Sequence, residues 1–199
     1  MNLADLRRMA GRRITEPLNA ILVKSRLKPN TLTWCALVIS LIAAATIATD
    51  HLIIGGFLVL ISGLFDILDG SLARLTNQST RFGALLDSTF DRISDAAILL
   101  GILVLYARED NMAVILLIFL ALVMSLLTSY VRARAEGIGI GCPVGLFTRT
   151  ERVIILALGL LLTPLFKFSI LIALLLLVVL GFVTVIQRLV HVWRQAKTP

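Results

Sequence analysis

Five aspartates crowd into residues 65–95, FDILDGSLARLTNQSTRFGALLDSTFDRISD. Asp66 and Asp69 are three positions apart, and Asp87 and Asp91 four apart. On helices, both spacings put each pair on one face. Both pairs lie at the ends of apolar runs, where an ionised carboxylate is expensive. At about 2.5–3.5 kcal/mol each on insertion scales, four cost on the order of 10–14 kcal/mol. They also repel one another. Divalent cations remove both problems, and an all-carboxylate oxygen set suits Mg²⁺ or Mn²⁺ better than Zn²⁺. Four aspartates can hold two ions, an arrangement that clamps phosphoryl oxygens during displacement. Interfacial aspartates paired with Arg74, Arg81 and Arg92 would be the structural alternative. Gly70 and Gly83 weigh against it. Each weakens its helix by about 1 kcal/mol relative to Ala, which makes sense if something large must approach the backbone.

The elements that position these residues follow from the hydrophobic pattern. Of 199 residues, 58% are hydrophobic, against about 45–50% in soluble domains, and the mean hydropathy is +0.97. The excess sits in blocks long enough to cross a bilayer, about 20 residues each. Six spans are predicted, at 30–49, 52–73, 82–106, 112–134, 149–165 and 168–193. The fifth is the weakest, because Arg149, Glu151 and Arg152 occupy its first turns. Residues 1–28 are basic, with apolar residues at helical spacing from Leu3 to Leu22, and predict a helix lying on the membrane surface. They contain no uninterrupted apolar stretch, so no cleaved leader is expected. The expected fold is therefore an all-α integral membrane protein. It comprises an amphipathic juxtamembrane helix at 1–28 and a six-helix catalytic domain at 29–199.

Orientation follows from the basic residues. With both termini on one side, that side carries 17 of the 19 Lys and Arg residues, leaving Arg108 and Lys167 opposite. The positive-inside rule makes the rich side cytoplasmic, together with both termini and the carboxylates. In so hydrophobic a chain, the net charge of +7 points to anionic lipid headgroups, not nucleic acid. Cys35 and Cys142 have no ligand-type spacing around them and read as isolated thiols.

Asp66, Asp69, Gly70, Ala73, Arg74, Gly83, Asp87 and Asp91 form the pattern D-x-x-D-G-x-x-A-R-x8-G-x-x-x-D-x-x-x-D. It resembles the signature of the CDP-alcohol phosphotransferase family, with every fixed position filled, and the six-span topology resembles that family too. The resemblance implies that Asp66, Asp69, Asp87 and Asp91 ligate two metal ions and that Asp91 is also the general base. It implies that Gly70, Arg74 and Thr80 contact the CDP group, and that the Pro29-Asn30-Thr31-Leu32 segment lines the nucleotide pocket. It also suggests a homodimer.

A second basic cluster bears on the acceptor. Ser129, Arg132 and Arg134 end the fourth span, Arg149 and Arg152 start the fifth, and Arg188 lies near the end of the sixth. Snorkelling explains any one of them. It does not explain three helices bringing arginines to the carboxylates' depth. An anionic acceptor such as a phosphorylated polyol would call for that. The segments SYVRARAEG, TRTER and IQR are similar to the phosphatidylinositol-phosphate synthase branch, bacterial or archaeal. This implies transfer of a diacylglycerol or archaeol phosphate group from a CDP-linked lipid to inositol phosphate, with release of CMP. Ser129, Arg132, Arg152 and Arg188 are the candidates for the acceptor phosphate. A phosphatidylglycerophosphate synthase is the nearest alternative. Asp95 continues the 87–91 stripe, either orienting the acceptor or serving as a structural partner of an arginine. A divalent-metal transporter is the competing class. Transport sites favour the midplane, however, whereas here the acids crowd one end beside arginines.

Overall fold

The computed structural model describes residues 28–108 and 111–196; the surface helix predicted at 1–28 lies outside them, save for Lys28. The described residues form six helices and no strand: α1 (Pro29–Ala48), α2 (Leu52–Leu75), α3 (Arg81–Ala107), α4 (Met112–Gly137), α5 (Arg149–Leu161) and α6 (Ser169–Ala196). Local chemistry sets their starts. Pro29 opens α1, where its missing N–H is no loss. The Thr80 side chain accepts from the Gly83 amide at 2.9 Å to begin α3. At α5, Glu151 Oε2 accepts from the Thr148 amide at 2.7 Å in a capping box.

Helices α1, α2, α4 and α6 are long and apolar enough to cross a membrane. Helix α3 has the length, at 27 residues, but it carries Asp87, Asp91, Arg92 and Asp95. Helix α5 has 13 residues, about 20 Å at 1.5 Å per residue, short of a hydrocarbon core of about 30 Å. The predicted fifth span to residue 165 therefore ends early as helix. Pro164 disfavours helix at the residue before it, and the chain passes through turns from Leu162 to Leu165.

The helices pack as a closed ring in the order α1, α2, α5, α6, α4, α3 and back to α1. All six feed one core, through Ile47, Val59, Ile102, Ile118, Leu160 and Leu174 respectively. Large apolar side chains such as Phe57, Leu100, Phe119 and Ile172 remain exposed around the outside, as expected of a surface facing lipid. Close crossings use small residues. A Cβ on Gly101 would sit 2.4 Å from the Ala44 carbonyl of α1, and one on Gly181 2.9 Å from Met124 of α4. The hydroxyls of Ser40 and Ser62 lie 2.6 Å apart and clasp α1 to α2.

The short 76–80 connection leads one to expect α2 and α3 side by side. Instead both pack on α1, and they make no comparable backbone contact with each other. The space between them is where the aspartates face.

Candidate active site

The C-terminal half of α2 supplies Asp66 and Asp69, and the N-terminal two-thirds of α3 supplies Asp87, Asp91 and Asp95. Asp66, Asp69 and Asp87 each offer a carboxylate oxygen, all within 4.8 Å of one another. Asp69 Oδ2 and Asp87 Oδ1 are buried, with no hydrogen-bond partner among the described residues. Buried carboxylate oxygens need a cation or donors, and three converging oxygens match the donor set that hard divalent ions take. The residues present therefore fit a divalent metal.

Asp91 lies one turn further along α3. Its Oδ1 is 2.9 Å from Arg149 Nη1, which also contacts Asp66 Oδ1. The ion-pair partner of Asp66 and Asp91 thus comes from α5, while Asp87 lies in the field of both Arg149 and Arg92. The ring order makes this possible by seating α5 against α2.

On one side of the carboxylates lies a groove of about 190 Å³. Pro29, Asn30, Gly70, Arg74 and Thr80 line it, together with Asp69 and Asp87. Thr31 and Leu32 do not. Thr31 is exposed, and Leu32 is buried against Leu68 and Leu72. The helical repeat explains the split: Asn30 shares its face with Thr33, which does line the groove. That i, i+3 step was the available signal for Thr33. Gly83 also borders the groove, but its small size serves the fold, since a Cβ there would lie 2.9 Å from Thr80 Oγ1. Gly70 is different: a Cβ would meet only Arg74 Nη1, at 3.5 Å.

On the other side is a pocket of about 140 Å³ that brings together Ser129, Arg132, Arg152 and Arg188 with Asp91, Asp95 and Arg149. Arg152 is buried. Its Nη2 donates to Asp95 Oδ2 at 3.0 Å and its Nη1 to Thr128 Oγ1 at 3.3 Å. Asp95 Oδ2 also accepts from Ser125 Oγ at 2.8 Å. Asp95 is thus an arginine partner at the pocket wall. Arg188 donates from Nε to the Val144 carbonyl at 3.0 Å and from Nη1 to the Thr128 carbonyl, tying the 138–148 loop and α4 to α6. Arg132 is the loosest of the four. Its side chain is 55% exposed and pairs with Glu136 at 2.9 Å. By sequence Arg149 belongs with the basic cluster, and nothing in its spacing marks it as a site residue. Its contact with two aspartates depends on tertiary placement alone.

Residues 26–193 match the CDP-alcohol phosphatidyltransferase family. The chain belongs to that family. It is 40% identical over 170 residues to an archaetidylinositol phosphate synthase of Methanothermobacter thermautotrophicus, covering 83% of each chain. It is 37% identical over 199 residues to a phosphatidylinositol phosphate synthase of Mycobacterium tuberculosis, covering 96% of this chain and 91% of that one. The crystal structure of the Mycobacterium tuberculosis phosphatidylinositol phosphate synthase with CDP-DAG bound superimposes with a TM-score of 0.80 at 34% identity, over 91% of this chain and 94% of that one. The same enzyme in complex with manganese and citrate gives a TM-score of 0.81, over 90% and 88%. This phosphatidyltransferase is accordingly a membrane enzyme of phospholipid synthesis.

Proposed function

We propose that this phosphatidyltransferase moves a diacylglycerol phosphate or archaeol phosphate group from a CDP-linked lipid to inositol phosphate, releasing CMP. One observation carries the proposal: a single carboxylate cluster separates two pockets of different chemistry. The groove side carries Asp69, Gly70, Ala73 and Arg74 of the signature, with Gly70 leaving its backbone open. The other side gathers arginines from α4, α5 and α6, which suits an anionic acceptor. The relatives named for inositol phosphate products support the choice of acceptor.

Asp66, Asp69, Asp87 and Asp91 would hold two Mg²⁺ or Mn²⁺ ions. Such ions neutralise a diphosphate and polarise the attacked phosphorus. Arg74, Thr80, Asn30 and the backbone at Gly70 seat the CDP group, with Pro29 shaping the end of the groove. Thr31 and Leu32 drop out of this role because they face away. Arg152 and Arg188, with Ser129 and the more exposed Arg132, hold the acceptor's phosphate. Asp91 borders the acceptor pocket and serves as base. The acceptor hydroxyl oxygen bonds to the lipid-linked phosphorus, the phosphorus–oxygen bond to CMP breaks, and the hydroxyl proton passes to the Asp91 carboxylate.

The same proposal extends to topology. All six helices embed in the membrane as one catalytic domain over 29–199. Both termini and the site face the cytoplasm, and the enzyme works as a homodimer. The charged ends of α2 to α6 gather at one end of the bundle, consistent with that orientation. Lipid tails then enter sideways, and the polyol phosphate arrives from water.

The test is CMP release by the purified protein from CDP-diacylglycerol and CDP-archaeol, with inositol phosphate, glycerol phosphate, inositol and serine offered in turn. Inositol phosphate should give the highest kcat/KM. Faster release with glycerol phosphate would reassign the acceptor, and faster release with inositol or serine would refute an anionic one.

A further inference from the structure

Arg149 stands between the two pockets. Its Nη1 contacts both Asp66 and Asp91, its Nε lies 3.6 Å from Asp95 Oδ1, and the side chain lines the acceptor pocket beside Arg152. Asp91 and Asp95 hold it as ion pairs, with Asp66 also within hydrogen-bonding reach, and among the described residues neither Nε nor Nη1, both buried, has a well-directed acceptor. Its neighbours are anchored differently. Arg152 shares a buried Nε without a directed acceptor among the described residues, but its Nη1 and Nη2 donate directed bonds to Thr128 and Asp95, and Arg188 donates to two backbone carbonyls. Directional bonds fix an orientation, whereas charge alone holds a guanidinium only while the opposing charge stays uncompensated. The backbone at Arg149 is itself fixed by the Thr148–Glu151 capping box, so any movement belongs to the side chain.

We propose that Arg149 is a displaceable internal cation that links metal occupancy to the acceptor pocket. In the metal-free protein it neutralises Asp66 and Asp91. A divalent ion taking oxygens of those two carboxylates cannot share them with a guanidinium, because like charges so close repel strongly. The side chain then keeps only its Asp95 contact. From there its freed donors face the pocket of Ser129, Arg152 and Arg188, where an acceptor phosphate supplies the anion that Asp66 and Asp91 no longer offer. Metal loading thereby completes the anion site, and the acceptor binds well only to protein whose carboxylates are filled. This rests on the metal and acceptor assignments above.

The test uses the full-length protein in detergent, without CDP-lipid. Mn²⁺ binding is measured by calorimetry for wild type, Arg149→Gln and Arg149→Lys. Inositol phosphate binding is then measured with and without Mn²⁺. Removing the competitor should tighten Mn²⁺ binding about tenfold or more in Arg149→Gln, with Arg149→Lys between that and wild type. Mn²⁺ should strengthen inositol phosphate binding in wild type, and most of that gain should vanish in Arg149→Gln. Melting in EDTA should show Arg149→Gln destabilised relative to wild type, with the gap narrowing when Mn²⁺ is added. If Arg149→Gln does not fold in EDTA, Arg149→Lys carries the comparison. Unchanged or weaker Mn²⁺ binding in both variants overturns the displacement. Tighter Mn²⁺ binding with an intact Mn²⁺ effect on inositol phosphate overturns the link to the acceptor pocket. Absence of Mn²⁺ binding to folded wild type refutes the metal assignment and the proposal with it. Normal Mn²⁺ behaviour with no inositol phosphate binding to wild type instead refutes the acceptor assignment and the link.

Discussion

Gly70→Ala should make the protein more stable and less active at once. A Cβ at residue 70 meets only Arg74 Nη1, at 3.5 Å, an ordinary van der Waals contact. Within α2, replacing Gly by Ala favours the helix by about 1 kcal/mol, which in a chain of this size raises Tm by about 2–4 °C. The same methyl projects into the groove beside Asp69 and Arg74. A diphosphate seated against the Gly70 backbone would have to shift. Overpacking by one methyl costs about 1–3 kcal/mol, or roughly 5- to 150-fold in kcat/KM for the CDP-lipid. The assay is CMP release at varied CDP-lipid and saturating acceptor, with melting curves of both proteins in the same detergent. A stabilised variant with undiminished kcat/KM would mean that the nucleotide does not pass over Gly70. A destabilised variant would show that this face of α2 is packed by the protein itself.

Asp91→Asn should abolish turnover while retaining substantial CDP-lipid binding, since an amide oxygen can still face a cation but the side chain cannot take a proton. CMP release and CDP binding measured in parallel check this, and near-normal turnover would remove Asp91 as base. Arg152→Gln should raise the acceptor KM by about 10- to 150-fold through loss of a charge-assisted hydrogen bond, with the CDP-lipid KM moving much less. Arg132→Gln should do so more weakly, because Arg132 is exposed and already paired with Glu136; equal effects on both substrates would leave Arg152 a structural partner of Asp95 and return Arg132 to membrane anchoring. Dialysis against EDTA should stop turnover and Mg²⁺ or Mn²⁺ should restore it. At a hundredfold excess over Kd the ion should stabilise the fold by about 2.7 kcal/mol, visible as a higher Tm.

The carboxylate cluster was legible in the sequence because it is written in helical periodicity. Steps of three and four at the ends of two apolar runs leave Asp66, Asp69, Asp87 and Asp91 little choice of face. The convergence of Ser129, Arg132, Arg152 and Arg188 was legible for a related reason, since each ends or begins a span on the same side. What stayed hidden depends on which helices touch. Nothing local says that α1 holds α2 and α3 apart, or that α5 reaches across to pair Arg149 with Asp66 and Asp91. The sequence leaves Asp95 between two roles because its partners, Ser125 and Arg152, lie 30 and 57 residues away. The Pro29–Leu32 segment reads as a block because a short motif carries no facing, and the helix divides it. The shortness of α5 was hinted at by its charged first turn and by Pro164, but hydropathy alone ran through both.

The most direct test of the account is anomalous diffraction from crystals of the full chain soaked in Mn²⁺. The account predicts manganese peaks within the cluster of Asp66, Asp69, Asp87 and Asp91, with no equivalent peak elsewhere among the helices. Manganese bound away from these residues, with the four carboxylates directed into separate environments, would contradict it.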